Sequence, residues 1–376
     1  MTVLNGLAPI PMVDLQAQRR RLEPALSESL ARVLAHGRFV LGPEVEELEL
    51  RLADLTGASC VTCGNGTDAL ELLLWALGIG PGDAVVLPAF TFAAAAEAVV
   101  RRGATPVFAD VEEASCNLSA PSARQALAWI NRSALRARAL IAVDLYGWPA
   151  DYTGLAAVAE ERGLALVADA AQSLGATLGN RPVGALAPVT ATSFYPSKPL
   201  GCYGDGGAVF ALDPAMAERV RLLARHGQGP GRYNHVSLGA NSRLDTLQAA
   251  VLLAKLSVFE EELARRDQVA RRYDTGLAGA VTLPLRPAGA TPAWAQYTIR
   301  HPERERLARS LAEAGIASAV HYPRPVNLQP AYRACPSPDG VPVSRRLAET
   351  VLSLPLCPYL APEAQDRVIA AIRANA

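Results

Sequence analysis

The sequence offers one strong candidate for covalent chemistry, a lysine in an apolar, glycine-rich segment. Lys198 is the single lysine of residues 192–207, where it stands among apolar, glycine and hydroxyl-bearing side chains. An ammonium group that loses part of its hydration has a lowered pKa, and the neutral amine is a nucleophile that forms a Schiff base with an aldehyde. The alternative is an exposed lysine in a turn, which is the usual situation of this residue. The other residues of the chain that could take part in chemistry decide between these two interpretations of Lys198.

An aspartate stands at the end of an apolar strand. Asp169 follows residues 164–168, and Gln172 comes three positions later. In an open parallel sheet, ligands bind beyond the carboxyl ends of the strands. A carboxylate there would keep the nitrogen of a pyridine ring protonated, and Gln172 would hydrogen-bond a hydroxyl oxygen of that ring. Taken alone, Asp169 is better explained as a helix N-cap, and Gln172 as an ordinary surface residue.

A phosphate site is predicted where residues 64–70 follow a strand and open a helix. Backbone N–H groups without partners and the positive end of the helix dipole face outward at such a turn. Gly66 and Thr67 lie there, although Thr67 also suits the role of N-cap; Ser193 adds a hydroxyl five positions before Lys198. Phe92, at another strand end, would stack on a flat ring or belong to the core. Together these side chains meet the requirements of pyridoxal 5'-phosphate, with Lys198 as its anchor.

Other cofactors and partners find less support. The chain contains neither a G-x-G-x-x-G nor a G-x-x-x-x-G-K-[ST] motif, and no G-x-S-x-G elbow. Its 36 basic and 36 acidic residues give no charge pattern for nucleic acid or an anionic membrane. Cys60 and Cys63 form a C-x-x-C without a second pair, so we expect no metal site and reduced cysteines. We expect a cytoplasmic protein, because no apolar run is long enough to span a bilayer and no leader is evident.

These residues must be positioned by helices and strands, and the predicted helices and strands indicate an α/β fold in two domains. Short β-prone runs alternate with helical segments from about residue 55 to 225, which is typical of a mostly parallel sheet flanked by helices. We assign residues 1–255 to a large domain and residues 256–376 to a smaller α+β domain. One long amphipathic helix over residues 244–273 would join them.

The ordered motifs resemble those of the DegT-type nucleotide-sugar aminotransferases over nearly the whole chain. They comprise residues 65–70, Thr91-Phe92, residues 169–172, residues 193–198, residues 204–207 and residues 241–250. The resemblance implies a fold-type I pyridoxal-phosphate enzyme that forms a homodimer with its active sites at the interface. In such relatives, the lysine matching Lys198 holds the cofactor and the aspartate matching Asp169 pairs with the ring nitrogen. The resemblance further assigns Gly66, Thr67 and Ser193 to the phosphate and Phe92 to the ring. It also implies that Asn241, with Arg243 beside it, reaches across the interface to the phosphate that the other subunit binds.

Within this family, the chain looks most similar to enzymes that aminate C3 of UDP-2-acetamido-2-deoxy-3-oxo-glucuronate, for surface polysaccharide biosynthesis. Residues 197–203, 224–228, 295–298 and 321–327 carry this finer resemblance. His321 and Tyr322 are the candidate substrate contacts, since both hydrogen-bond sugar hydroxyls or a carboxylate. Candidates for the anionic parts of the substrate are Arg225, His226, Arg232, Arg243 and Arg324. Many family members carry histidine where this chain has Asp144 and Asn327.

The expected reaction moves an amino group from L-glutamate to a keto-sugar nucleotide, with pyridoxamine 5'-phosphate as the intermediate form of the cofactor. Lys198 would be both the Schiff-base partner and the proton carrier. Three alternatives remain. One is an aminotransferase for a 4-keto UDP-sugar or a dTDP-linked 3-keto sugar. Another is a sugar dehydratase, disfavoured because such relatives carry histidine at the lysine position. The last is a non-catalytic binding or regulatory protein that has kept the fold.

Overall fold

The computed structural model describes residues 8–231 and 233–376. Its helices are α1 Leu15–Leu22, α2 Ala25–His36, α3 Pro43–Thr56, α4 Gly66–Ala76, α5 Ala94–Arg101, α6 Ala120–Ile130, α7 Tyr152–Arg162, α8 Pro214–Ala224, α9 Thr246–Leu256, α10 Phe259–Leu277, α11 Arg304–Glu313, α12 Pro342–Thr350 and α13 Pro362–Arg373. Its strands are β1 Ser59–Cys63, β2 Asp83–Pro88, β3 Thr105–Ala109, β4 Arg136–Val143, β5 Ala165–Asp169, β6 Thr177–Leu178, β7 Arg181–Pro182, β8 Val189–Ser193, β9 Gly207–Ala211, β10 Ala290–Thr291, β11 Tyr297–Arg300 and β12 Val351–Leu354.

Seven strands form the central sheet in the order β1-β9-β8-β5-β4-β2-β3. Strand β9 runs antiparallel to both β1 and β8, and the remaining neighbours pair in parallel. The register sets Val143 at the end of β4 opposite Asp169 at the end of β5. Because the parallel strands end at one edge, the loops that follow them meet there.

Helices cover both faces of this sheet, as the sequence predicted. Alternate residues of β2 face opposite sides: Val85 packs in one apolar cluster with Leu73 of α4, and Val86 in another with Leu155 of α7. Such strands are buried on both faces, which explains why they are apolar throughout rather than alternating. The α/β prediction is confirmed.

The single helix predicted over residues 244–273 is wrong, because α9 and α10 are separate helices. The break falls at Ser257 and Val258, where the Ser257 hydroxyl donates to the carbonyl of Ala254 at 2.7 Å. A serine bonded to its own turn in this way competes with continuation of the helix. Three glutamates, Glu260, Glu261 and Glu262, then favour a new helix N-terminus. The domain boundary at residue 255 stays a prediction.

The C-terminal part is built around the antiparallel pair β11 and β12. Helices α10, α11 and α13 bury their apolar sides against this pair, with Trp294 and Tyr273 at the centre of the cluster. Within the described residues, no helix is long and apolar enough to cross a membrane.

Candidate active site

A cavity of about 700 Å³ lies where the central strands end and the C-terminal part closes over them. The residues after β1, β2 and β5 line it, together with the ends of β4 and β8. Nine of the residues named from the sequence share its wall: Gly66, Thr67, Phe92, Asp169, Gln172, Ser193, Lys198, His321 and Tyr322. Residues separated by more than 250 positions in the sequence thus meet in one pocket.

The lysine and the aspartate of this cavity influence each other electrostatically. Burial lowers the pKa of Lys198, and the negative charge of Asp169 partly opposes that shift. Burial likewise raises the pKa of Asp169, against a hydrogen bond from the amide of Ala171 and the charge of Lys198. Among residues 8–231 and 233–376, no hydrogen bond or ion pair engages the Lys198 Nζ. Its amine is therefore free to react with a group bound in the cavity.

Asp169 does not cap a helix. Turns follow β5, and the Asp169 Oδ1 accepts a hydrogen bond from Ala171 at 3.1 Å. Its remaining acceptor capacity faces the cavity, where a protonated ring nitrogen would find a buried carboxylate. The structure thus favours the functional interpretation over the N-cap alternative.

Gln172 is fixed at both ends of its side-chain amide. Its Oε1 accepts from the backbone N–H of Tyr146 at 2.6 Å, and its Nε2 donates to the hydroxyl of Tyr322 at 3.3 Å. Tyr146 also donates its hydroxyl to the backbone oxygen of His321. Sequence reasoning did not single out Tyr146, whose positive φ of 63° places it in a tight turn between β4 and α7. A tyrosine after a strand carries no pattern that would have revealed this role.

The predicted phosphate site fits the group it was predicted to hold. A Cβ at Gly66 would come within 2.7 Å of the Ser193 Cβ, so only glycine allows this approach. The N-cap of α4 is Asn65, which accepts from Asp68 at 2.8 Å, and not Thr67 as one alternative had it. The Thr67 hydroxyl is thereby left for a ligand. The first backbone N–H groups of α4 precede its opening bond from Ala69 to Asn65, so they remain available to an anion.

Phe92 is not a core residue. Its side chain is 59% exposed, it precedes α5 rather than belonging to it, and its ring lies 6.1 Å from that of Tyr322. An exposed aromatic ring at the cavity wall suits stacking on a flat cofactor. We take the cradle at Gly66, the free Lys198 amine, the buried Asp169 and this ring as a fit to pyridoxal phosphate.

The wall of the cavity that the C-terminal part forms carries polar side chains that are uncharged near pH 7. The His321 Nδ1 bonds to the Ser353 hydroxyl at 2.8 Å, and burial, together with the charge of Lys198, lowers the pKa of His321. A neutral imidazole is the consequence near pH 7. Burial also raises the pKa of Tyr322, so its hydroxyl keeps its proton. Gln296, which the sequence did not mark as a site residue, lies on the same wall.

Some predicted contacts lie outside this cavity. Asn241 and Arg243 do not line it in the single chain, and neither do Arg225, His226 and Arg324. Arg225 instead forms an isolated backbone β-bridge with Asn241. It also lines a second cavity, near the start of β1. Arg232 lies outside the described residues.

Asp144, the residue that follows β4, is a buried acid near Asp169. Its oxygens accept from the Ala150 amide, the Tyr152 hydroxyl and the Ser173 hydroxyl at 2.7 to 2.9 Å. Burial outweighs these bonds and raises its pKa to about 7. Its bonds to Ala150 and Tyr152 order the segment after β4, and its bond to Ser173 orders the residue next to Gln172.

No cluster of histidine, cysteine, aspartate or glutamate suited to a metal ion occurs in the part of the chain that the structure describes. Cys60 and Cys63 are buried free thiols, and burial raises the pKa of Cys60 well above its ordinary value. Neither is poised to act as a thiolate.

The known proteins that are similar to this chain include aminotransferases. The family model of the DegT/DnrJ/EryC1/StrS aminotransferases matches residues 21–373. A UDP-2-acetamido-2-deoxy-3-oxo-D-glucuronate aminotransferase from Pseudomonas aeruginosa is 46% identical over 353 residues, which cover 93% of this chain and 96% of that relative.

Solved structures resemble the chain along nearly its whole length. An aminotransferase from Brucella abortus superimposes with a TM-score of 0.96 at 46% identity, covering 97% of this chain and 99% of that one. DesV from S. venezuelae, solved in complex with a ketimine intermediate, gives a TM-score of 0.93 at 41% identity over 98% of both chains.

Proposed function

The chain belongs to the DegT/DnrJ/EryC1/StrS aminotransferase family and is a pyridoxal-phosphate-dependent enzyme, and we propose that it moves an amino group from L-glutamate to a keto-sugar nucleotide. The observation that carries this proposal is the unpaired amine of Lys198, held in the same cavity as the buried Asp169 and a glycine cradle for phosphate. The proposed substrate is UDP-2-acetamido-2-deoxy-3-oxo-glucuronate, aminated at C3, because a relative of that activity shares 46% of its residues with this chain.

The side chains of the cavity divide the work between them. Pyridoxal phosphate, when bound, supplies a reactive aldehyde and a pyridinium ring that withdraws electrons from the carbon bearing the amine. Asp169 would hold the proton on the ring nitrogen, and the turn at Gly66 and Thr67 with Ser193 would hold the phosphate. Lys198 Nζ would hold the aldehyde end of the cofactor and, as a free amine, would accept the proton from the donor's α-carbon. The lowered pKa of Lys198 suits both tasks, since each requires a neutral amine.

The remaining predicted contacts support a homodimer. Asn241 and Arg243 lie outside the cavity of their own chain, although the family resemblance assigns them to a phosphate site. A second copy whose residues 241–243 reach this cavity would reconcile the two facts. Exposed Tyr195 beside the cavity and exposed Val236 and Leu238 offer apolar area for such a contact.

The proposed product is an amino sugar nucleotide for surface polysaccharide biosynthesis in the cytoplasm, where nucleotide sugars would be available to the enzyme. Purified protein should be loaded with pyridoxal phosphate and assayed with L-glutamate against a panel of keto-sugar nucleotides. The panel contains the UDP-linked 3-oxo-glucuronate, a 4-keto UDP-sugar and a dTDP-linked 3-keto sugar.

We expect 2-oxoglutarate and the amino sugar to form in equal amounts, fastest with the UDP-linked 3-oxo-glucuronate. Faster turnover of another panel member would assign the substrate to that sugar. Loss of oxygen from the sugar without transfer of nitrogen would indicate a dehydratase. Binding of cofactor and nucleotide without any turnover would indicate a regulatory protein.

A further inference from the structure

Gln296 is a polar residue of the cavity wall whose side chain has no protein partner. It directly precedes β11 and lines the cavity together with Lys198, Asp169, His321 and Tyr322. Its Oε1 is buried without a hydrogen bond, and no side-chain contact within the described residues engages its Nε2. Because the buried Oε1 has no accessible surface, the Nε2 is the end of this half-buried amide that is left to the cavity, where a ligand can pair with its N–H groups.

The backbone around Gln296 is held firmly in place. The amides of Ala295 and Gln296 donate to the carbonyl of Tyr146 at 3.1 and 3.4 Å, and that of Ala293 to Gly147 at 3.0 Å. Tyr146 in turn donates its own amide to Gln172, the predicted partner of the cofactor ring. The position of Gln296 relative to the reaction centre is therefore set before any substrate binds, which is the condition for a selective contact.

The other polar side chains near Gln296 restrict what it would recognise. His321 is neutral by its lowered pKa, Tyr322 keeps its proton, and both belong to the same wall. Gln172 is already paired at both ends of its amide. The Nε2 of a carboxamide offers two donors, so it matches a group that accepts. A carboxylate or a diphosphate also accepts, but on this wall it would meet no fixed positive charge, so a neutral acceptor is the better match.

We propose that Gln296 is a specificity-determining residue, which donates from its Nε2 to a neutral acceptor on the sugar ring, the oxygen of a hydroxyl or of a secondary amide. The proposal rests on the proposed function, because it concerns the keto-sugar substrate rather than the amino donor.

The test compares Gln296→Leu and the more nearly isosteric Gln296→Met with Gln16→Leu, the same chemical change on the exposed face of α1. For each protein loaded with pyridoxamine phosphate, with which the amine does not react, calorimetry gives the Kd of the amino-sugar nucleotide product. For the pyridoxal-phosphate-loaded protein, steady-state assays give the KM of the keto sugar. The absorbance change on adding L-glutamate alone gives the rate of the first half-reaction. We expect both Gln296 variants to raise Kd and KM about 10- to 100-fold, as loss of two hydrogen bonds implies. The glutamate half-reaction should stay within about twofold, and Gln16→Leu should resemble the wild type.

Three results would overturn the proposal. One is an unchanged Kd and KM, and another is an equal slowing of the glutamate half-reaction, which would place Gln296 at the amino donor. The third is failure of both Gln296 variants to fold, as seen by circular dichroism, which would make the residue structural. If wild-type enzyme reacts with glutamate but binds no nucleotide sugar, the proposed function fails and this proposal fails with it; that pattern is distinct from the other three.

Sugar analogues identify the group that is bound. Replacing the 2-acetamido group by hydroxyl should weaken wild-type binding but not binding by Gln296→Leu if the amide is the partner; equal weakening in both assigns a ring hydroxyl. Either result supports the proposal. A Gln296→Leu effect confined to sugars that carry a C6 carboxylate would contradict it.

Discussion

The chain contains two lysines, of which Lys255 is fully buried and Lys198 is half-buried, and only Lys198 has access to a ligand. Lys255 is 1% exposed, donates to the Gly201 carbonyl at 2.5 Å and lies 4.4 Å from the centre of the Tyr203 ring. Lys198 lines the large cavity, and its amine has no partner in the described residues. Burial lowers the pKa of both, to about 8 for Lys255. A lowered pKa alone therefore does not make a catalytic lysine; an unpaired amine at a cavity is also required.

The largest expected effect separates the two lysines directly. Lys198→Ala should abolish transamination and the visible absorbance of the lysine-linked cofactor, because Lys198 is the only lysine among the described residues of the cavity wall. Lys255→Met should retain both. Borohydride reduction of the loaded wild type, followed by peptide mass analysis, should find the cofactor on the Lys198 peptide alone. A Lys198→Ala protein with wild-type turnover and an unchanged spectrum would remove the distinction between the two lysines.

A second prediction concerns the acids opposite the two amines. Asp169 is the charged neighbour of Lys198, and Glu262 is that of Lys255. Asp169→Asn keeps the shape of the side chain but removes the charge that would hold a proton on the cofactor ring. We expect turnover to fall by about 10²-fold or more, with the cofactor still bound by its phosphate and Lys198.

Single-turnover absorbance with L-glutamate measures this loss in the first half-reaction, and cofactor retention after gel filtration provides the control. Undiminished turnover would mean that Asp169 only orders the turn that follows β5.

The chemistry around Lys198 could be predicted from the sequence because each part follows a local rule. Asp169 ends an apolar strand, and Gly66 opens a helix after another, so the common edge of parallel strands brings them together. The wall formed by the C-terminal part could not be derived in this way. Tyr146 and Gln296 owe their positions to backbone bonds between segments about 150 residues apart, and no local pattern encodes such a contact. The break at Ser257 escaped for the opposite reason, since a single local bond overrode a periodic apolar pattern.

Lys255→Met tests the structural half of the comparison. The substitution removes the hydrogen bond to Gly201 and the contact with the Tyr203 ring, both in the loop that follows Lys198. We expect a loss of about 1–3 kcal/mol in the free energy of unfolding at pH 7, because a buried carbonyl loses its donor. Turnover should fall by less than about tenfold, as the loop shifts without loss of the reactive amine. Denaturant unfolding and steady-state kinetics measure the two quantities; a stable variant that lost its cofactor would contradict the structural role.

The smallest expected effect is the pH dependence that Lys255 adds to stability. Its pKa is about 8 in the folded chain and near the ordinary lysine value of about 10.4 when unfolded. Between these values the unfolded chain binds more protons than the folded one, so the free energy of unfolding rises with pH across this interval. The stabilising contribution of the neutral Lys255 amine is complete above the pKa that this lysine has in the unfolded chain. It is lost as the pH falls through about 8, the pKa in the folded chain. The difference in unfolding free energy between wild type and Lys255→Met should accordingly grow from pH 8 to 10, by at most about 1.4 kcal/mol per pH unit. Because other groups titrate equally in both proteins, the difference isolates this lysine. Parallel stability curves over that interval would show that the Lys255 amine is hydrated, and the contrast with Lys198 would then rest on hydrogen bonding rather than on burial.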